Sequence, residues 1–215
     1  MKQPAQTNLV MVIGAPDGTG SMKFADKVVL VTGASSGIGR ATAEAFAKEG
    51  SYVAITGRNQ ANLDEVEKAC CEYGAKDVLQ LNVDFAELAA VKTLAEKVVA
   101  KFKRLDILVN NVGTVAMKSL CDETEENFDH LFTINVKSLL LLTQAAMPYL
   151  IETKGCVVNN SSLASMECMP HMLTYGMTKA ALDYFTKTVA LEYAPKGVRV
   201  NSVNPAMIRT NSLYE

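Results

Sequence analysis

Between Lys27 and Val203, six short runs rich in β-branched residues alternate with longer segments of helical period, and no other feature narrows the fold as much. The runs are "KVVLVT" (27–32), "YVAIT" (52–56), "DVLQLNV" (77–83), "LDILVN" (105–110), "CVVNNS" (156–161) and "VRVNSV" (198–203). Short β-branched runs bounded by Gly, Asn, Asp and Ser read as strands. The first intervening helix is stopped by Gly50 and the second is capped by Asn59. One helix is expected from about Glu87 to Phe102, where Val91, Leu94, Ala95, Val98 and Val99 recur at helical spacing. Another, longer one is expected through "NFDHLFTINVKSLLLLTQAAM". Strands separated by helices lie parallel, and right-handed crossovers cover both faces of the sheet. The expected fold is therefore α/β, a doubly wound parallel sheet of Rossmann type in a single domain. Ligands of such sheets bind beyond the carboxyl ends of the strands, where the strand order reverses.

A chain of 215 residues with 49% hydrophobic and 20% charged residues can bury one sizeable core. Its net charge of −2, with the basic residues dispersed, leaves no footprint for nucleic acid. The partner to expect is a small molecule. Cys70, Cys71, Cys121, Cys156 and Cys168 are odd in number, form no C-x-x-C pair and show no metal-ligand spacing with His130 or His171. Reduced thiols and a cytoplasmic location follow as expectations, and no metal site is expected. The uncharged stretch from Ser138 to Ile151 is too short to cross a bilayer and suits a buried helix. Residues 1–21, rich in Gly, Pro and Thr, read as a flexible tail, and 22–215 as the folded unit.

The sequence "TGASSGIGR" (32–40) joins the first strand to the first helix. Gly33, Gly37 and Gly39 let the backbone turn tightly and approach a pyrophosphate. With Ser35, Ser36 and Ile38 they form a cradle of N–H groups at the positive end of a helix dipole. A site that selects NAD places an acid at the end of the second strand to hold the ribose hydroxyls. Here Gly57 stands at that place and Arg58 follows it. A guanidinium suits a 2′-phosphate, so NADP(H) is expected ahead of NAD(H), although Arg58 could also be a solvated charge beside a helix start. Asp84, past the third strand, could accept from the adenine amino group, cap a helix, or do both.

Together, "TGASSGIG" (32–39), "NNVG" (110–113), Asn135, Ser162, "YGMTK" (175–179) and "NPAMIRT" (204–210) resemble the short-chain dehydrogenase/reductase family, including its 3-oxoacyl-carrier-protein reductase-like members. The likeness spans about Lys23 to Thr210. Each motif is weak alone; their joint order is specific. The resemblance implies a catalytic set of Asn135, Ser162, Tyr175 and Lys179. Tyr175 would exchange a proton with the substrate oxygen as hydride moves to or from the nicotinamide, and Ser162 would hydrogen-bond that oxygen. Lys179 would bind the nicotinamide ribose and tune the phenol, while Asn135 would hold a water linking Lys179 to solvent. Asn110 would brace the sheet and line the adenine-ribose side. Pro205 and Ile208 would lie along the nicotinamide, with Thr210 near the diphosphate. The substrate would be a carbonyl or secondary alcohol on an apolar molecule, received by "LASMECMPHM" (163–172) and Met207. The apolar face of the long helix, Leu139 to Leu142 with Ala145, could mediate homo-oligomer formation or belong to the core.

Tyr175 and Lys179 stand one helical turn apart on one face. Bringing a phenol from about 10 to about 7.5 needs about 3.4 kcal/mol. An ammonium about 4 Å away, at an effective dielectric of about 20, supplies roughly 4 kcal/mol. A lowered phenol is therefore expected. The chain departs from the family pattern at Val112, Ala206 and Asn160, where the family has alanine, glycine and an apolar residue. After Thr210 only "NSLYE" follows, so the sheet is expected to lack its last strand and to leave the sixth as an open edge. A non-catalytic dinucleotide-binding or interaction protein is the alternative to an enzyme.

Overall fold

The computed structural model describes residues 22–208. Six strands form one sheet: β1 (Val28–Val31), β2 (Tyr52–Gly57), β3 (Asp77–Asn82), β4 (Ile107–Asn110), β5 (Cys156–Asn160) and β6 (Arg199–Val203). The order is β3-β2-β1-β4-β5-β6, with every pair parallel. Val29 of β1 faces Val53 on one side and Ile107 on the other, so the reversal of strand order falls between β1 and β4. Among the described residues β6 is the last strand of the sheet, paired on one side only.

Helices α1 (Gly37–Lys48) and α2 (Gln60–Tyr73) cover one face, where Phe46, Leu63 and Val66 pack on Val29, Val31 and Ile55. The other face takes α3 (Leu88–Lys92), α4 (Leu94–Phe102) and α6 (Ser138–Thr153), with Leu94, Val98, Leu142 and Leu150 buried against Leu30, Leu108 and Val157. Each such side chain contributes about 1.5–3 kcal/mol of burial. The last helix, α7 (Leu173–Tyr193), joins this face through Val189, Ala190 and Tyr193.

Two helices differ from expectation. The segment 87–102 is not one helix but α3 and α4, parted at Thr93, whose hydroxyl donates back to the Ala90 carbonyl at 2.8 Å. Such back-bonding by a β-branched hydroxyl competes with the helical ladder. The long helix begins at α5 (Glu125–Phe132), capped by the Thr124 hydroxyl, and widens into a π turn over Thr133–Lys137 before α6. π turns inside helices concentrate at functional sites, and Asn135 stands within this one. The continuous helical stretch, residues 125–153, is long and apolar enough to cross a membrane by composition. Half of its most apolar part is buried within the fold, as befits a core helix. Leu139 and Leu142 belong to that core, and Leu140 faces outward.

Asp106, just ahead of β4, ties the entry edges of two strands together. It accepts from the Val28 N–H at 3.0 Å, from Arg104 Nε and Nη2 at 2.8 and 2.6 Å, and from Lys27 Nζ at 3.4 Å. Burial opposes its charge, but Arg104 and the Val28 N–H outweigh burial and hold the carboxyl below its ordinary range. A depressed folded pKa gives stability that is present above the unfolded value of about 3.9 and lost as pH falls through the folded one. Asp106→Ala strands a buried N–H and is expected to cost about 1–3 kcal/mol at neutral pH in urea denaturation. The gap to the unaltered chain should close as the carboxylate protonates in acid.

Candidate active site

The cradle forms where β1 runs into α1. Ser36 is the N-cap in extended conformation, its side chain makes no capping bond, and no acid lies in the first turn. The helix thus begins with free N–H donors and an unneutralised dipole, a setting suited to an anion. Gly33 and Gly37 have φ of +62° and +55°, in the left-handed region. A Cβ at Gly39 would stand 2.2 Å from the Gly33 carbonyl oxygen and 2.5 Å from Asn111 Nδ2. The loop is fastened to β2 by Ala34 N–H donating to the Thr56 carbonyl at 2.8 Å. Asn111 fastens it to the end of β4, its Nδ2 donating to the Thr32 and Gly33 carbonyls at 2.9 and 3.1 Å. Sequence reasoning passed over Asn111, although it is the second asparagine of "NNVG". The enlarged Val112 fills space beside the loop: a Cβ at Gly33 would stand 3.1 Å from its Cγ2.

At the end of β2, a Cβ on Gly57 would stand 2.8 Å from Ser35 Cβ and 3.0 Å from its hydroxyl. Ser35 therefore occupies the space an acid at position 57 would need. Arg58 projects beyond it, 77% exposed, with Nη1 4.0 Å from Asp84 Oδ2. Asp84 Oδ1 accepts from the Ala86 N–H at 2.9 Å, a local turn, and leaves Arg58 only a loose surface partner. The Asn110 side chain is buried and donates to Thr143 Oγ1 at 3.0 Å and Asn159 Oδ1 at 2.9 Å, bracing β4 against β5 and α6.

At the same carboxyl edge of the sheet, Ser162 follows β5, and its side chain acts on the Tyr175 phenol in the first turn of α7. The Ser162 hydroxyl also accepts from the Ala164 N–H at 3.1 Å, which orients it. Lys179, one turn along α7, is 4% exposed. Its Nζ donates to the Asn160 carbonyl at 2.8 Å and lies 5.6 Å from the Tyr175 ring centroid. Asn135 accepts from the Thr114 N–H at 2.8 Å and donates to the Thr114 carbonyl at 2.8 Å and Thr178 Oγ1 at 3.1 Å. The π turn thus holds the loop after β4 against α7. A Cβ at Gly113 would stand 3.4 Å from Lys179 Nζ and 3.5 Å from Asn135 Oδ1, so both atoms converge on that side of Gly113.

The electrostatics differ from the expected picture. Burial pushes the Tyr175 phenol above its ordinary value, and the Ser162 hydrogen bond offsets only part of this. Burial also pulls Lys179 down to about 8, with the Asp183 charge acting against it. The expected lowering of the phenol by Lys179 is absent from the chain by itself. The ammonium reaches past the ring to a backbone carbonyl, and the burial that brings the pair together disfavours both charges.

The loop after β6 packs against the Ser162 turn and α7. The Pro205 carbonyl accepts from the Leu163 N–H at 2.9 Å, and Asn204 Nδ2 donates to the Ser162 carbonyl, Ser165 Oγ and Asp183 Oδ2. Ile208 is the last described residue, and Thr210 lies outside the described residues. Met117, Met166, Met169, Met177 and Met207 are all exposed. The Lys118 N–H donates to the His171 carbonyl at 2.7 Å, joining the loop after β4 to the one before α7. Asn111, Asn204 and Asp183 gave no local signal of these roles, since each acts through partners distant in sequence.

A glycine cradle at the reversal of strand order, beside a Ser–Tyr–Lys cluster, defines a dinucleotide-binding site of oxidoreductase type. Residues 27–215 match the family model for the short chain dehydrogenases. The 3-oxoacyl-[acyl-carrier-protein] reductase of Thermotoga maritima is 39% identical over 88% of this chain and 77% of its own length. The 3beta-hydroxysteroid dehydrogenase of Mediterraneibacter gnavus is 36% identical over 86% of this chain and 67% of its own. Among solved structures, L-sorbose reductase from Gluconobacter frateurii, complexed with NADPH and L-sorbose, superimposes with a TM-score of 0.86 at 33% identity, covering 89% of this chain and 73% of that one. A xylitol dehydrogenase bound to NAD+ gives 0.84 at 33% identity, covering 89% and 74%. The chain belongs to the short-chain dehydrogenase/reductase family.

Proposed function

We propose that the chain is an NADP(H)-dependent oxidoreductase that interconverts a carbonyl and a secondary alcohol on an apolar small molecule. The observation that carries this reading is the meeting of Ser162, Tyr175 and Lys179 beside the loop after β6, on the same sheet edge as the glycine cradle. The cradle and Pro205–Ile208 would hold a nicotinamide dinucleotide, which when bound would supply or accept the hydride. Tyr175 gives its phenolic proton to the substrate oxygen in reduction and takes one back in oxidation. Ser162 hydrogen-bonds the same oxygen. Lys179 would hold the ribose and, with the dinucleotide bound, favour the ionised phenol. Lys179 Nζ and Asn135 Oδ1, which converge beside Gly113, would hold a water that links the site to solvent so that the proton is replaced. The exposed Met117, Met166 and Met169, on the loops after β4 and β5, favour a flexible apolar substrate, because thioether side chains adapt to varied shapes. The same reading has the enzyme act in the cytoplasm as a homo-oligomer, with the outward side of α6 at Leu140 as its contact.

The preference for NADP(H) rests on Ser35 filling the space beside Gly57 and on the accessible Arg58 guanidinium. NADPH is expected to bind more tightly than NADH. Arg58→Ala should weaken NADPH roughly 10- to 100-fold, the worth of a charged hydrogen bond, and leave NADH nearly unchanged. Equal affinity of the unaltered chain for both would contradict the assignment. Enzyme and non-catalytic binder are separated by following NADPH consumption with a panel of apolar ketones and 3-oxoacyl thioesters. Turnover of any member supports the reading, and binding without turnover across the panel overturns it.

A further inference from the structure

Among the described residues, two buried side-chain oxygens lack a hydrogen-bond donor, Asn160 Oδ1 and Asp183 Oδ1, and both belong to residues around Lys179. Asn160 lends its main-chain carbonyl to Lys179 Nζ. Asp183 lies one turn further along α7, on the same face. The groups facing the ammonium can be taken element by element. β5 offers the neutral Asn160 carbonyl, the loop after β4 offers Gly113, and the π turn offers the Asn135 amide. α7 itself offers Tyr175 from the preceding turn and Asp183 from the following one. Of these, Asp183 is the one carboxyl group, and so the one that can supply an opposite charge. A buried ammonium without an opposite charge sheds its proton readily.

The other Asp183 oxygen is committed. Oδ2 accepts from Asn204 Nδ2 at 2.9 Å, and the same Nδ2 donates to the Ser162 carbonyl at 3.3 Å and Ser165 Oγ at 3.0 Å. One carboxylate therefore touches the loop after β6 and, through it, the turn that carries Ser162, while its second oxygen is left over. We propose that Asp183 is the counter-charge that keeps Lys179 protonated, and that through Asn204 it holds the loop after β6 against the Ser162 turn. Asp183 is a positioning residue, acting on the reaction through Lys179 and Asn204. The inference rests on the function proposed above, yet the protonation of Lys179 can be read without turnover.

Asp183→Asn removes the charge and keeps an oxygen to accept from Asn204; Asp183→Glu keeps the charge. In chain labelled with 13Cε-lysine, with Lys179 assigned by its loss in Lys179→Arg, Asp183→Asn should lower the Lys179 titration midpoint by about one pH unit. Asp183→Glu should restore it toward that of the unaltered chain. The high-pH limb of carbonyl reduction should move down with the midpoint in Asp183→Asn. Asp183→Ser is a second charge-removing variant should the asparagine fold poorly, and the same downward shift is expected. An unchanged midpoint in the charge-removing variants overturns the proposal. A shifted midpoint in a chain that reduces no carbonyl compound upholds the role of Asp183 and overturns the catalytic reading instead.

Discussion

Tyr175→Phe is expected to abolish carbonyl reduction while leaving NADPH affinity nearly unchanged. The ring is partly buried at the start of α7, and phenylalanine fills the same space, so the helix, Lys179 and the cradle stay in place. Only the hydroxyl that Ser162 engages is lost. A positioned proton donor contributes about 10²- to 10⁴-fold, so turnover should fall by at least about a hundredfold. NADPH consumption measures the loss, and quenching or transfer of nicotinamide fluorescence measures the retained binding. Turnover within a few-fold of the unaltered chain would remove Tyr175 from the chemistry. A parallel collapse of binding would make it structural.

The second large effect belongs to the cradle. Gly39→Ala places a methyl group 2.2 Å from the Gly33 oxygen and 2.8 Å from its carbonyl carbon, both backbone atoms that cannot swing aside. The same methyl meets Asn111 Nδ2 at 2.5 Å, the group that fastens Thr32 and Gly33 to β4. The loop must open, and the N–H groups that would face a pyrophosphate lose their common aim. Leaving buried polar groups unpaired costs about 1–3 kcal/mol each, so dinucleotide affinity should drop roughly a hundredfold or more. Calorimetric titration with NADP+ reads this directly. Unchanged affinity in a folded Gly39→Ala chain would mean that the dinucleotide does not use this loop.

The strands and the cradle were legible in the sequence because their signals are local. A β-branched run between turn residues needs no distant partner to be recognised, and six of them sufficed to predict the parallel sheet. The cluster of Ser162, Tyr175 and Lys179 was legible only through spacing within a family pattern. Thr93 escaped notice because a helical period continues through it, and the break comes from its own hydroxyl. The π turn at Asn135 is equally silent, since its cause is the clamp on Thr114 and Thr178. The phenol of the chain by itself differs in direction from the expected one for a related reason. Spacing set the distance to the cation correctly in kind, but the opposing burial depends on β5, the loop after β4 and α7 closing together, which no local stretch encodes. Asn160, noted only as a polar departure in β5, accepts a hydrogen bond from Lys179 Nζ with its carbonyl and donates to Asn111 Oδ1 with its amide at 2.8 Å.

The central claim is that Tyr175 becomes a proton-exchanging group when a dinucleotide lies beside Lys179. Titrating tyrosinate by ultraviolet difference absorbance, in the unaltered chain and in Tyr175→Phe, isolates this one phenol. In the chain by itself Tyr175 should ionise above the ordinary phenol value of about 10, and with saturating NADP+ it should ionise below it. A difference signal that stays at or above that value with NADP+ bound would contradict the account.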